Sequence, residues 1–238
     1  MTILHETERW KAGNRHHHIL PLTLVTMLLA GAVPSVARAS SRNTKAEARL
    51  YMYADYKISF VKRKMLDVAL VPFVKTEDRF RKEGLVFHKT FAGTKLDILK
   101  WLALRFYYAH RELLYPGKPV KSKHMAVGDI IFYPTFGPVT IKNRECNEWH
   151  ITDGFYRYRN LTEVFYHPLR WFGIFASDEF RVDSDQSRVN MNDLVGGFQF
   201  KPHKHLALRL FYRLENKRRN LPSWQFTHSV GLLFAAHL

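Results

Sequence analysis

The sequence predicts an all-β chain closed into a barrel, and three observations carry that prediction. The first is a near repeat: Leu102-Ala103-Leu104-Arg105-Phe106-Tyr107-Tyr108 recurs as Leu206-Ala207-Leu208-Arg209-Leu210-Phe211-Tyr212. In each copy alternate residues are apolar (Leu102, Leu104, Phe106, Tyr108; Leu206, Leu208, Leu210, Tyr212). The intervening set carries Arg105, Arg111, Arg209, Arg213 and Glu215 beside small or amphipathic residues. A period of two means strand, because successive side chains of a strand point to opposite faces. The second observation is that such runs recur along the whole chain with turn residues between them, and no segment has a clear helical period. The third is that 46% hydrophobic residues are spread without the long apolar run of a membrane helix. An apolar face backed by a charged one is what a transmembrane barrel strand needs, with lipid outside and water or polar filling inside.

The elements follow in order. Residues 1–39 read as a cleavable signal peptide: a polar start with Lys11, Arg15 and His16-His17-His18, an apolar stretch over 19–33, and Ala37-Arg38-Ala39 as the cleavage signal. That apolar stretch is short beside the ~20 residues of a membrane-spanning helix. The barrel is then 40–238. Its first strand covers 50–60, with Leu50, Met52, Ala54, Tyr56, Ile58 and Phe60 on one face and Tyr51, Tyr53, Asp55 and Lys57 on the other. A second strand over 66–76 contains Pro72, which places it at a bulge or an edge. A charged loop at 78–83, a strand over 85–91 and a tight turn at 92–95 lead to the first copy of the repeat. A longer loop over 115–124 precedes a hairpin of 127–136 and 139–149 about Gly137-Pro138. Strands over 155–166, 171–182 and 190–200, the second repeat copy, a loop at 216–222 and a strand over 224–238 complete the chain.

Read this way there are eleven strands. Short and long connections alternate, as in barrels with tight periplasmic turns and long extracellular loops. Bacterial single-chain barrels have an even number of antiparallel strands. The expectation is therefore a closed antiparallel barrel of 10–12 strands, twelve preferred over ten, with a further strand at 44–49 or within 66–91.

A net charge of +16 first suggests a nucleic-acid partner. The positive residues do not cluster in a tail or on one helix, however. They recur at alternate strand positions, which favours a basic lumen and basic rims over a nucleic-acid stripe. Cys146 is the only cysteine, so no intramolecular disulfide forms. With the apolar faces on lipid (Leu102, Leu104, Phe106, Leu206, Leu208, Leu210), the lumen receives Arg105, Arg111, Arg144, Arg157, Arg159, Arg181, Arg209 and Arg213, with Glu148, Glu163, Glu179 and Glu215 among them. The plain reading is an arginine–glutamate–tyrosine network that fills the barrel; the sharper one is a narrow anion-favouring passage. Arginine is expected to be better tolerated at Ala103 or Ala207 than at Leu104 or Leu208.

Two alternatives belong to other classes. A lipid-modifying outer-membrane enzyme would need a serine or histidine with an acid at the barrel mouth, for which Ser177, Glu179, His228 and Ser229 are available. No nucleophile elbow or zinc helix supports it, and no catalytic residue, metal or cofactor is assigned. A soluble exported lipid-binding barrel would turn its apolar faces inward. His203-Lys204-His205 reads as a turn facing lipid head groups, and Trp101, Trp149, Trp171 and Trp224 as interfacial girdles.

Asn143-Arg144-x-x-x-Glu148, Arg157-Tyr158-Arg159-Asn160-Leu161, Asp178-Glu179 and the closing Trp224 with its alternating strand resemble an uncharacterised outer-membrane barrel family, domain of unknown function 2490, over 78–238. The resemblance implies an outer-membrane barrel of a Gram-negative bacterium and supplies no activity. The expected partners are outer-membrane lipid and the barrel-assembly machinery, which would engage the C-terminal strand; the chain is expected to be a monomer.

Overall fold

The computed structural model describes residues 44–63, 66–185, 188–218 and 224–238. The expected signal peptide, with Ala37 and Ala39, lies outside them. The described residues form thirteen strands and no helix: β1 (Thr44–Asp55), β2 (Ile58–Lys62), β3 (Leu66–Arg81), β4 (Gly84–Leu99), β5 (Leu102–Leu113), β6 (Lys121–Phe132), β7 (Thr135–Phe136), β8 (Val139–His150), β9 (Phe155–Leu169), β10 (Phe172–Asp183), β11 (Arg188–His203), β12 (Leu206–Lys217) and β13 (Gln225–His237). Two of them are continuations. β1 runs opposite β3 as far as Asp55/Phe73, and after a break β2 resumes along β3 from Ile58/Leu70. β7 likewise extends β6 along β8.

Eleven strands close the ring in the order β1-β13-β12-β11-β10-β9-β8-β6-β5-β4-β3, with β3 returning to β1. All neighbours are antiparallel except β1 and β13, which pair in parallel from Thr44/Phe226 to Asp55/His237. This corrects both the preferred count of twelve and the expectation of a wholly antiparallel sheet. An up-and-down chain with an odd number of strands brings its first and last strands together in the same direction, so closure has to be parallel. Residues 44–49 are the start of β1 and not a separate strand.

Two connections also differ from the sequence reading. β3 continues to Arg81, which leaves a turn at 82–83 where a longer charged loop was expected. β4 runs through 92–95, the expected turn, to Leu99. Gly93 explains the misreading: it is a close-approach glycine, where a Cβ would overlap the Phe106 carbonyl oxygen and the Tyr107 Cβ of β5. Pro72 faces the break between β1 and β2, where the missing N–H is not needed, and its carbonyl accepts from Tyr56 N at 3.2 Å. Tight turns at 100–101, 170–171 and 204–205 share one end of the barrel with the chain's C-terminus. The connections at 114–120 and 151–154 lie at the opposite end.

The alternation sorts inside from outside. Tyr53, Phe73, Phe91, Tyr107, Met125 and Val127 point inward and pack together. Phe165 and Phe175 pack with tilted rings on another part of the wall, with ring centres 5.5 Å apart. Leu102, Leu104, Phe106, Leu206, Leu208 and Leu210 belong to the outward sets, and Phe106 is 57% exposed. Ala103 is fully buried. An arginine there would overpack the interior, so a cost is expected at Ala103 as well; Ala207, half-buried, is the roomier of the two.

The β12–β13 contact yields a test. Phe211 lies directly opposite Gly231, and a Cβ at 231 would overlap its ring. Gly231→Ala should therefore destabilise the folded barrel by about 1–3 kcal/mol, with recovery on adding Phe211→Leu. Gly128→Ala, whose nearest neighbour would be Phe106 Cε1 at 3.6 Å, should be close to neutral. Denaturant unfolding of refolded protein in detergent reads all three, and equal effects at Gly231 and Gly128 would contradict the packing.

Candidate functional site

The interior is the only concentration of charge that the fold organises within its wall, among the described residues. Its strands deliver arginine and carboxylate at alternate positions, so each inward arginine meets acids on the neighbouring strands. Arg159 donates to Glu148 at 2.5 Å and to both oxygens of Glu179 at 2.7 and 2.8 Å. Glu179 also accepts from Arg144 at 2.9 Å and from Arg181 at 2.7 Å. Arg181 reaches Asp193 at 2.5 Å, and Arg213 donates to the same carboxylate. Arg157 donates to Asp183 and lies 3.7 Å from Glu148, which also pairs with His150 at 3.1 Å.

Arg49 carries this lattice across the closure of the barrel. Its side chain is fully buried on β1. Its Nε donates to Ser229 on β13 at 3.1 Å, and its Nη2 donates to Glu47 at 3.0 Å and to Glu215 on β12 at 2.9 Å. Glu77 on β3 is 3.8 Å away and itself accepts from Arg79 at 2.6 Å. Arg81 closes the same end by donating to Glu47. Four strands are therefore tied by one guanidinium, including both members of the parallel pair.

Three predicted arginines stand apart from the lattice. Arg105 pairs with Asp129 and lies over the Tyr107 and Phe73 rings at 5.1 and 5.6 Å. Arg209 donates to Gln199 at 2.8 Å and to Glu163 at 3.5 Å, and covers Phe165 at 4.6 Å. Arg111 has no ion-pair partner among the described residues, and its Nε is buried without a hydrogen bond. Sequence reasoning found Arg144, Arg157, Arg159, Glu179, Arg181, Arg213 and Glu215. It missed Arg49, Glu47, Glu77, Asp129, Asp183 and Asp193. The alternation read from Leu50 onward, extended backward, contained Arg49 and Glu47; the aspartates carried no motif.

The residues weighed for an enzyme form no serine–histidine–acid contact among the described residues. Ser229 is inward and engaged by Arg49; its neighbour His228 faces outward and bonds the Tyr212 hydroxyl. Glu179 is held by three guanidinium groups. Among the described residues no group of three or more His, Cys, Asp and Glu could hold a metal ion.

The outer wall is not uniformly apolar. Near mid-strand on β8–β11, Asn143 donates to Thr162 at 3.1 Å, Asn160 to Glu145 at 2.6 Å and Asn192 to Asp178 at 2.5 Å. Tyr158 also donates to Glu145.

Fold and interior together define a closed eleven-stranded β-barrel with a largely apolar exterior and a charge-paired interior. The chain matches no family model, and no curated protein is similar to it.

The position of Arg49 makes a direct prediction. Arg49→Met leaves Glu47 and Glu215 buried beside an apolar chain, and should cost about 3–5 kcal/mol in denaturant unfolding. Arg170→Met, on an exposed turn, should stay within about 0.5 kcal/mol of the parent. Equal midpoints for the two variants would remove Arg49 from its place in the closure.

Proposed function

We propose that the mature chain is an outer-membrane β-barrel whose interior is filled by a structural charge network, with at most a narrow, anion-favouring passage. The observation that carries this reading is the inversion of polarity: large apolar side chains such as Phe106, Leu206 and Leu210 are exposed on the outer wall, while charge is packed inside. The soluble lipid-binding alternative needs the opposite arrangement.

Three further features support the membrane reading. The ring strands are 12–16 residues long, and a tilted crossing needs about 9–11. A closed ring leaves no unpaired strand edge in lipid. Aromatic residues mark both ends: Trp101 stacked on Phe132 and Trp171 against Phe172 at the C-terminal end, Trp149 stacked on Tyr156 at the other. The tight turns would then be periplasmic. The carboxylates of Glu145 and Asp178 on the outer wall are capped by the Tyr158, Asn160 and Asn192 donors, which lowers the cost of placing them against lipid.

The proposal carries with it a Gram-negative origin, a monomer and β13 as the strand offered to the barrel-assembly machinery, which the resemblance to domain of unknown function 2490 barrels implies; no family model matches the chain. A filled interior favours the structural role over the pore: the arginines that would form an anion ladder are mostly committed to carboxylates.

A pair of substitutions tests the membrane setting. Leu206 and Leu210 are similarly exposed, at 50% and 47%, so arginine at either should be harmless in water. In a bilayer the cost of arginine is about 2–4 kcal/mol near the midplane and about 0–1 kcal/mol at the interface. Leu210→Arg should therefore deplete the folded, heat-modifiable form in outer-membrane fractions, while Leu206→Arg, at the start of β12, should not. Equal tolerance of both, or recovery in the soluble periplasm, would overturn the proposal. In planar bilayers the parent protein should give no large persistent current; a stable, high-conductance pore would show that the interior is open.

A further inference from the structure

The charges inside the barrel do not balance locally. Among the described residues every buried interior carboxylate has an arginine or lysine partner, from Glu47 with Arg81 to Asp193 with Arg213. The cations are not all used. Lys75, Lys89 and Arg111 lie inward on adjacent strands β3, β4 and β5, and none of them has a carboxylate partner among those residues. Lys89 is directly opposite Arg111, and Lys75 is two residues along β3 from Glu77, which faces Lys89.

The two ammonium groups rest on aromatic faces. Lys89 Nζ is 4.4 Å and Lys75 Nζ 5.2 Å from the centre of the same Phe91 ring, and Lys75 is also 4.8 Å from that of Tyr51. A cation on a ring face is held less strongly than one donating charge-assisted hydrogen bonds to an oxyanion. Glu77 lies on the same face as both lysines but forms no ion pair with either, and buried cations with no carboxylate at ion-pair distance oppose folding, so an anion that binds them stabilises the barrel.

We propose that Lys75, Lys89 and Arg111 form an internal site for a small multivalent oxyanion of the phosphate type. Arg111, near the end of β5, receives the ion from the end of the barrel opposite the C-terminus, and Lys89 and Lys75 hold it further in. Phe73, Phe91 and Tyr107 form an apolar boundary beyond it, so the site is a blind seat and not part of a continuous anion path. The three side chains point into the barrel, which excludes lipid head groups approaching from the outer wall. The inference rests on the reading of the interior as filled, and does not depend on membrane insertion.

The test is thermal unfolding of refolded protein in detergent, titrated with inorganic phosphate at constant ionic strength. The midpoint should rise and saturate with phosphate, and chloride should not reproduce the rise. The double variant Lys75→Met/Lys89→Met should unfold at a higher temperature than the parent in phosphate-free buffer and lose the phosphate response. Lys82→Met, in the exposed turn after β3, should keep it. No saturable rise, or an unchanged rise in the double variant, would overturn the site. If the double variant does not fold, broadening of the phosphate 31P resonance by the parent, reduced by Arg111→Gln, decides; no broadening overturns the site. An open interior would show separately, as current in planar bilayers without phosphate.

Discussion

Eleven strands cannot close into a ring without a parallel pair, and the interaction that secures this pair is the buried guanidinium of Arg49. A parallel ladder is slightly weaker per residue than an antiparallel one, so the β1–β13 contact is the natural weak place in the wall. Arg49 sits behind it and bonds Glu47 on its own strand, Ser229 on β13 and Glu215 on β12, with Glu77 on β3 nearby. A charge in that position is tolerated only because its partners come from strands on both sides. The register must therefore be correct for the charge to be satisfied, and the charge in turn penalises a slipped register.

The same constraint extends around the barrel. Glu179 accepts from three arginines and Asp193 from two, so few interior groups belong to a single isolated pair. Shared partners of this kind reduce the ordering cost per pair. Where the lattice stops, on β3–β6, aromatic side chains fill the interior, and the cations there rest on rings. This division explains how a chain with a strong positive charge can have a filled core and still keep three cations available to an anion.

Much of the fold was legible in the sequence because a period of two survives any uncertainty about boundaries. The eleven runs read from alternation correspond to the eleven ring strands, and the inward and outward sets of the two repeat copies follow from the same pattern. Parity was not legible: a rule drawn from even-numbered barrels argued for a twelfth strand where the chain instead closes in parallel. Ala92-Gly93-Thr94-Lys95 has turn composition, but its glycine serves the approach of β5. The arginines of the interior were visible as alternate residues. Their acidic partners were less so, because Asp129, Asp183 and Asp193 meet them across strands and only the register reveals the pairing.

The most direct test of this account is the parallel closure itself. Met52 and Phe234 face each other on the outer wall across β1 and β13, whereas Leu233 points to the interior. In a Cys146→Ala background, the pair Met52→Cys/Phe234→Cys should oxidise to an intramolecular disulfide in the folded protein, seen as a gel shift reversed by reductant. Met52→Cys/Leu233→Cys should not, because its thiols lie on opposite faces of the wall. A disulfide only in the first pair is the predicted result. No disulfide in either, or equal yields in both, would contradict an eleven-stranded ring closed by β1 and β13.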